Sequence, residues 1–204
     1  MKAYLIVGHN IELSNIKDLS SSFIVGVDKG AFIALKNGVK LDLAIGDFDS
    51  VNEEEFACLF GSVNNIVKLN PIKDVTDTYE AYKHVRDYDE IVILGGIEGR
   101  RIEHFLALVN LVKEDSKVKI LDNNSYIYSL KGPSTYKIKK SEYKYISFFA
   151  EEESIISLKG FKYELKDYVL KVNDSLAISN EIIEEGIVSV LKGSILVIQS
   201  KEDK

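Results

Sequence analysis

The first 125 residues repeat one pattern. A short, wholly apolar run is followed by a polar cluster rich in glycine and aspartate, and then by a stretch of helical periodicity. Tyr4-Leu-Ile-Val7, Phe23–Val27, Leu43–Ile45, Ile66–Leu69, Ile91–Leu94 and Lys117–Leu121 are the apolar runs. Strands without polar alternation are covered on both faces, which is the condition of a parallel sheet layered between helices. Helices are expected over residues 30–37, 77–86 and 102–112, with Gly38 as the stop of the first.

Beyond Asp122-Asn-Asn-Ser125 the texture changes to short runs of β-branched and aromatic residues, separated by turns every 8–12 residues. Those runs are Thr135–Ile138, Tyr143–Phe149, Ile155–Leu158, Ala177-Ile178, Ile187–Leu191 and Ile195–Gln199, with a turn expected near Leu165–Tyr168. They predict an antiparallel β-sandwich. The expectation is therefore an α/β N-terminal domain with a mainly parallel sheet over residues 1–130, and a C-terminal all-β sandwich domain over 131–204.

Composition narrows the class of function. An apolar fraction of 46% with a net charge of −6 excludes a disordered chain. A single cysteine, Cys58, excludes a disulfide framework and cysteine-based metal sites. No apolar run reaches the ~20 residues of a membrane span, and the run after Met1 is too short for a secretory signal. The expected compartment is the cytoplasm. A pI near 5.2 argues against a coat for nucleic acid.

The polar clusters that follow the strands carry the chemistry, because loops after parallel strands gather at the carboxyl edge, where ligands bind. Gly46-Asp-Phe-Asp-Ser50 sets two carboxylates at the spacing that converges on a hard cation, although an isolated D-x-D is as often an acidic turn. Lys73-Asp-Val-Thr-Asp-Thr78 adds two acids and a lysine. There Asp77 and Glu80 are also a ready capping box, which leaves Lys73 and Asp74 unexplained. Gly95-Gly-Ile-Glu-Gly-Arg-Arg101 offers backbone amides and guanidinium groups to phosphate, at a spacing that is neither a dinucleotide fingerprint nor a Walker loop. Asp28, in Val27-Asp-Lys-Gly-Ala31, stands at another strand-to-helix junction.

Three histidines, His9, His84 and His104, share no metal spacing, and His84 is expected on a solvated helix face. No Ser-His-Asp or Cys-His arrangement supports covalent hydrolysis. Asp28, Asp47, Asp49, Asp74 and Asp77 on one edge require cations to stay ionised together, which implies Mg²⁺. Lys73, Arg100 and Arg101 imply a polyphosphate bridging those ions, the inventory of phosphoryl-type transfer.

These motifs, in this order, resemble those of the thiamine pyrophosphokinase family. The matching stretches are VDKGA at 27–31, GDFDS at 46–50, KDVTDT at 73–78, GGIEGR at 95–100 and DNNS at 122–125, followed by GFKY at 160–163 and SNE at 179–181. The resemblance implies transfer of the pyrophosphoryl group of ATP to thiamine, giving thiamine diphosphate and AMP. It implies that Asp47, Asp49, Asp74 and Asp77 hold Mg²⁺, and that Asp28, Lys73, Gly95, Gly96, Gly99, Arg100 and Asp122 serve the nucleotide. It further implies a homodimer in which Tyr163, Ser179 and Asn180 meet thiamine. Where the family has aspartate before histidine, this chain has Glu103 before His104, with one extra residue preceding it. Glu103 is accordingly a candidate catalytic acid, against the plain alternative of a carboxylate favoured by a helix N-terminus. A metal-dependent nucleotide-sugar transferase and a non-catalytic thiamine or nucleotide sensor are the competing readings.

Overall fold

The computed structural model describes residues 1–8, 11–16, 18–49, 52–97 and 101–202. The chain divides into two compact units, one of residues 1–111 with 117–123 and the other of 112–116 with 124–204.

In the first unit, six strands lie in the order β4-β3-β2-β1-β5-β6: β1 Lys2–Ile6, β2 Phe23–Val27, β3 Leu43–Gly46, β4 Ile66–Lys68, β5 Glu90–Leu94 and β6 Val118–Leu121. Every pairing among them is parallel. The central strands are buried almost end to end, as their unbroken apolar runs require. Helices α1 Lys29–Lys36, α2 Glu53–Ser62, α3 Asp77–Val85 and α4 Ile102–Glu114 connect or follow the strands, and α3 packs over β1, β2 and β3. As expected, α1 stops at Asn37 with Gly38 in the left-handed region at φ +71°.

The order reverses at β1: β2, β3 and β4 extend to one side, while β5 and β6 add on the other. In open parallel sheets such a switch point is where ligands bind, outside the carboxyl ends of the strands. The backbones meet closely there, since a Cβ on Gly8 would lie 2.6 Å from the Gly96 nitrogen.

The second unit has two antiparallel sheets. One runs β7-β13-β9 and the other β11-β10-β12-β8, with β7 Ser125–Lys131, β8 Ser134–Lys139, β9 Tyr145–Ala150, β10 Ser154–Phe161, β11 Leu165–Leu170, β12 Ile182–Lys192 and β13 Ser194–Ser200. Their inner faces form one core, in which Phe148 of β9 meets Phe161 of β10 edge to face, at 5.7 Å between centroids.

Several elements differ from the sequence reading. Helix α2 was not anticipated, because its apolar residues form one continuous run, Phe56–Phe60, without helical spacing. It is held by a capping box in which the Asn52 side chain accepts from the Glu55 amide at 2.9 Å and Glu55 accepts from the Asn52 amide at 3.1 Å. Strand β7 was likewise not anticipated. Residues 165–170 form a strand rather than a turn, on the edge of their sheet, where charged side chains are tolerated. Ala177 and Ile178 lie in a turn, with Ala177 buried although it belongs to no strand.

Replacing Asn52 by alanine removes the half of that cap that its side chain accepts and leaves the backbone amide of residue 52 to Glu55. The expected loss is about 1 kcal/mol of unfolding free energy, measured by urea denaturation, with an unchanged denaturant slope.

Candidate active site

The acids of the first unit come from three different strand ends, and the local sequence explains how each arrives. Asp28 follows β2 at the N-cap of α1, yet its side chain makes no capping hydrogen bond. Its backbone adopts φ 48° and ψ −127°, a conformation that disfavours any residue with a Cβ. In that posture the carboxylate turns toward β3 and accepts the Phe48 amide at 3.1 Å. Gly46 makes this approach feasible, because a Cβ there would collide with the Asp28 carboxylate. Phe48 is itself at φ 58°, with its ring buried against Phe56 of α2. The aromatic residue between the two acids thus anchors the loop in the core.

Asp77 reaches the same place from α3. The sequence offered Asp77 and Glu80 as a capping box, but the N-cap is Thr76, whose hydroxyl accepts the Tyr79 amide at 3.2 Å. This frees the Asp77 carboxylate for the site. Asp28, Asp47 and Asp77 each bring a carboxylate oxygen within 4.8 Å of the other two. Lys73 spans two of them, its Nζ 3.4 Å from Asp47 Oδ2 and 3.0 Å from Asp77 Oδ1, with a third contact of 3.3 Å to the Asn70 carbonyl.

Burial pushes the Asp28 carboxyl up to about 6, and the charges of Asp77, Asp47 and Asp49 add to the shift, while the Phe48 amide opposes it. Burial also acts to raise Asp47, but the Asp49 amide and the Lys73 ammonium outweigh it and hold Asp47 below the usual carboxylate range. For Lys73, burial acts to lower the ammonium, and its two carboxylate partners more than offset that.

The remaining candidates fall in different places. Asp49 and Asp74 are exposed and lie outside the three-acid group. Gly95 and Gly96, at φ +84° and +87°, turn the chain sharply after β5, and the Gly95 amide is fixed to the Leu121 carbonyl at 2.9 Å. Asp122 follows β6 at the same edge and is partly buried. Glu103 is exposed in the first turn of α4. Gly99 and Arg100 lie outside the described residues. Next to the acids is a pocket lined by Asp28, Lys29, Thr76, Thr78, Arg101 and His104, among others. Thr76, Thr78 and Lys29 were not singled out from the sequence, since a threonine or lysine beside a strand end carries no signal until the sheet order is known. His84 is exposed on α3, as expected.

In the second unit, Asn180 is only 3% exposed, and its side chain is committed to backbone. Its Nδ2 donates to the Tyr163 carbonyl at 2.7 Å, and its Oδ1 accepts the amides of Tyr163 at 3.0 Å and Glu181 at 2.9 Å. Asn180 therefore positions Tyr163, a residue that is 61% exposed. Ser179 adopts φ 55°, and its amide donates to Ser147 Oγ at 3.0 Å.

Residues 18–121 match the catalytic-domain model of thiamin pyrophosphokinase, and residues 135–195 match that family's vitamin B1 binding domain. The chain belongs to the thiamin pyrophosphokinase family. A thiamine pyrophosphokinase of Bacillus subtilis is 34% identical over 187 residues, covering 87% of each chain. The crystal structure of a B. subtilis thiamine pyrophosphokinase superposes over the whole of both chains, with a TM-score of 0.90 at 31% identity. A thiamin pyrophosphokinase family protein from Enterococcus faecalis gives 0.86 at 27% identity, again over the whole of both chains. The family's two-domain architecture is that of this chain: a parallel α/β unit and an antiparallel β-sandwich.

The raised Asp28 carboxyl yields a signed pH prediction. The native state holds a proton on Asp28 up to about pH 6, whereas the unfolded chain releases it near 3.8. Between those values the native state binds more protons, so this group's contribution to stability falls as pH rises. Asp28→Asn keeps an acceptor for the Phe48 amide and removes the titration. The variant is expected to be more stable than the parent at pH 7.5 by about 1 kcal/mol, allowing for solvent screening at a half-buried site, and equal to it near pH 4. Urea denaturation at the two pH values checks this. A parent whose advantage grows between pH 4 and 6 contradicts it.

Proposed function

We propose that this chain transfers the pyrophosphoryl group of ATP to thiamine, releasing AMP and thiamine diphosphate. The observation that carries the reading is the convergence of Asp28, Asp47 and Asp77 with Lys73 at the switch-point edge of a chain whose family is thiamin pyrophosphokinase. Neither competing reading has comparable support. A nucleotide-sugar transferase leaves the vitamin B1 binding domain without a role, and a sensor has no need of three converging acids.

The donor set suits Mg²⁺: three hard carboxylate oxygens close enough together to share one ion. Asp28, Asp47 and Asp77 would hold it, and Asp49 and Asp74, exposed on the same loops, would complete ion binding as the phosphates arrive. When bound, the ion neutralises charge on the phosphate oxygens. The chain's own residues supply the rest. Lys73 places an ammonium at the phosphates, and Gly95 and Gly96 bring backbone close to the nucleotide; Gly99 and Arg100, which the resemblance assigns to the nucleotide as well, lie outside the described residues. Asp122 stands at the adjoining strand end. The thiamine hydroxyethyl oxygen attacks the β-phosphorus, the bond from that phosphorus to the oxygen bridging the α-phosphate breaks, and AMP leaves with that oxygen. The hydroxyl proton passes to Glu103, one residue from the pocket-lining His104.

Thiamine is met by Tyr163, whose exposed ring suits a cationic thiazolium or a flat pyrimidine, with Ser179 and Asn180 shaping its support. The second unit exposes large apolar side chains on β11, in the loop after it and at the start of β12, namely Val169, Val172, Leu176 and Ile183. Such surface is what the proposed homodimer would cover. Among the described residues no helix is long and apolar enough to cross a membrane, and a soluble co-substrate fits the proposed cytoplasmic setting.

With ATP, Mg²⁺ and thiamine, the expected products are AMP and thiamine diphosphate in equal amounts, resolved by ion-exchange chromatography, and EDTA abolishes both. ADP formed together with thiamine monophosphate would falsify the assignment. Glu103→Gln is expected to lower turnover about 100-fold with little change in stability. Unchanged steady-state kinetics would return Glu103 to a purely electrostatic role at the start of α4.

A further inference from the structure

Lys73 is placed unlike a lysine that waits in solvent for phosphate. Its ammonium lies 3.4 Å from Asp47 Oδ2 and 3.0 Å from Asp77 Oδ1, two of the three acids whose oxygens converge within 4.8 Å. A third contact, 3.3 Å to the Asn70 carbonyl, steadies it from its own loop. The side chain is largely buried, at 16% exposure, so the pair is poorly screened by water. A metal ion needing oxygens from both Asp47 and Asp77 meets a cation already bound to them. Like charges at that separation do not share two carboxylates without a large cost.

We infer that Lys73 is a built-in counter-ion for the metal site, displaced when the metal arrives together with the nucleotide. This rests on the proposal that Asp28, Asp47 and Asp77 hold the metal. In the free protein Lys73 offsets part of the repulsion among the acids and disfavours a bare divalent ion. When nucleotide is present, the phosphates give the displaced ammonium a new anionic partner, so metal and nucleotide each favour the other's binding. Lys73 then both positions phosphate and sets the order in which the site fills. No bond forms or breaks in this exchange.

Binding of Mn²⁺ measures it directly, with free Mn²⁺ followed by its electron paramagnetic resonance signal. The comparison is between the parent, Lys73→Met and Lys73→Arg, each with and without α,β-methylene-ATP, which cannot undergo the transfer. Without nucleotide, Lys73→Met is expected to bind Mn²⁺ at least about tenfold more tightly than the parent, because an opposing charge at contact distance is gone. Lys73→Arg, which keeps the charge, is expected to match the parent. The tightening produced by the analogue is expected to be smaller in Lys73→Met, chelation by the analogue itself being common to all three proteins. Lys73→Gln gives the same readout if the methionine variant fails to fold. If the uncharged variants bind Mn²⁺ no more tightly than the parent, while the analogue-loaded parent binds it well, the counter-ion role is overturned and the metal site stands. If no protein binds Mn²⁺ even with the analogue, the metal site falls and the counter-ion role with it.

Discussion

Everything at the carboxyl edge of the parallel sheet turns on holding like charges together. Three carboxylates converge there, and the fold supplies one ammonium, from Lys73, in contact with two of them. Repulsion of this kind costs stability and is kept only where a ligand repays it. The parallel sheet is what makes the arrangement possible. Its strands β1 to β3 are buried on both faces and fix the positions of their ends, so three loops far apart in sequence are brought to one point. No local motif achieves this, because Asp28, Asp47 and Asp77 belong to different connections.

Much of that was legible in the sequence, for a physical reason: fully apolar runs and glycine–aspartate junctions report the parallel layer and its loaded edge. The elements that escaped were those whose signals are weaker than their tertiary support. Helix α2 carries a capping box but a poorly periodic body, and it is held largely by Leu59 in the core and by the contact of Phe56 with Phe48. Strand β11 reads Leu-Lys-Asp-Tyr-Val-Leu, with only Leu170 buried, and its pairing to β10 shifts register between Ile156 and Leu158. An irregular edge strand needs no alternation, so its sequence resembles a turn.

The site was legible in outline and not in detail. D-x-D spacing treats Asp47 and Asp49 as equals, yet only Asp47 joins the three-acid group, because buried Phe48 pins the residue between them and leaves Asp49 exposed. Thr76 takes over the capping of α3, which the spacing of Asp77 and Glu80 had seemed to claim for Asp77. The role of Asn180 was equally out of reach. Expected to meet thiamine, it spends its side chain on the backbone of the adjacent Glu181 and of Tyr163, 17 residues away, and the pairing with Tyr163 leaves no trace in local sequence.

Asp28 shows how the costs are distributed. Its backbone conformation suits glycine, its carboxyl is raised to about 6, and the helix it precedes receives no side-chain cap from it. Each of these is unfavourable by an amount on the order of 1 kcal/mol. They fall on one residue because that residue cannot serve the helix and the acid cluster together. Capping α1 would point the carboxylate at the helix amides, whereas meeting Asp47 and Asp77 requires it to turn toward β3. The turn depends on two neighbours, Gly46, which leaves the space, and Phe48, whose amide fixes the carboxylate. Gly46 ends β3, and Phe48 belongs to the loop that follows it and carries Asp47. The β3 loop therefore does two things at once: it supplies one acid and it orients another, which ties the geometry of the pair to a single buried ring.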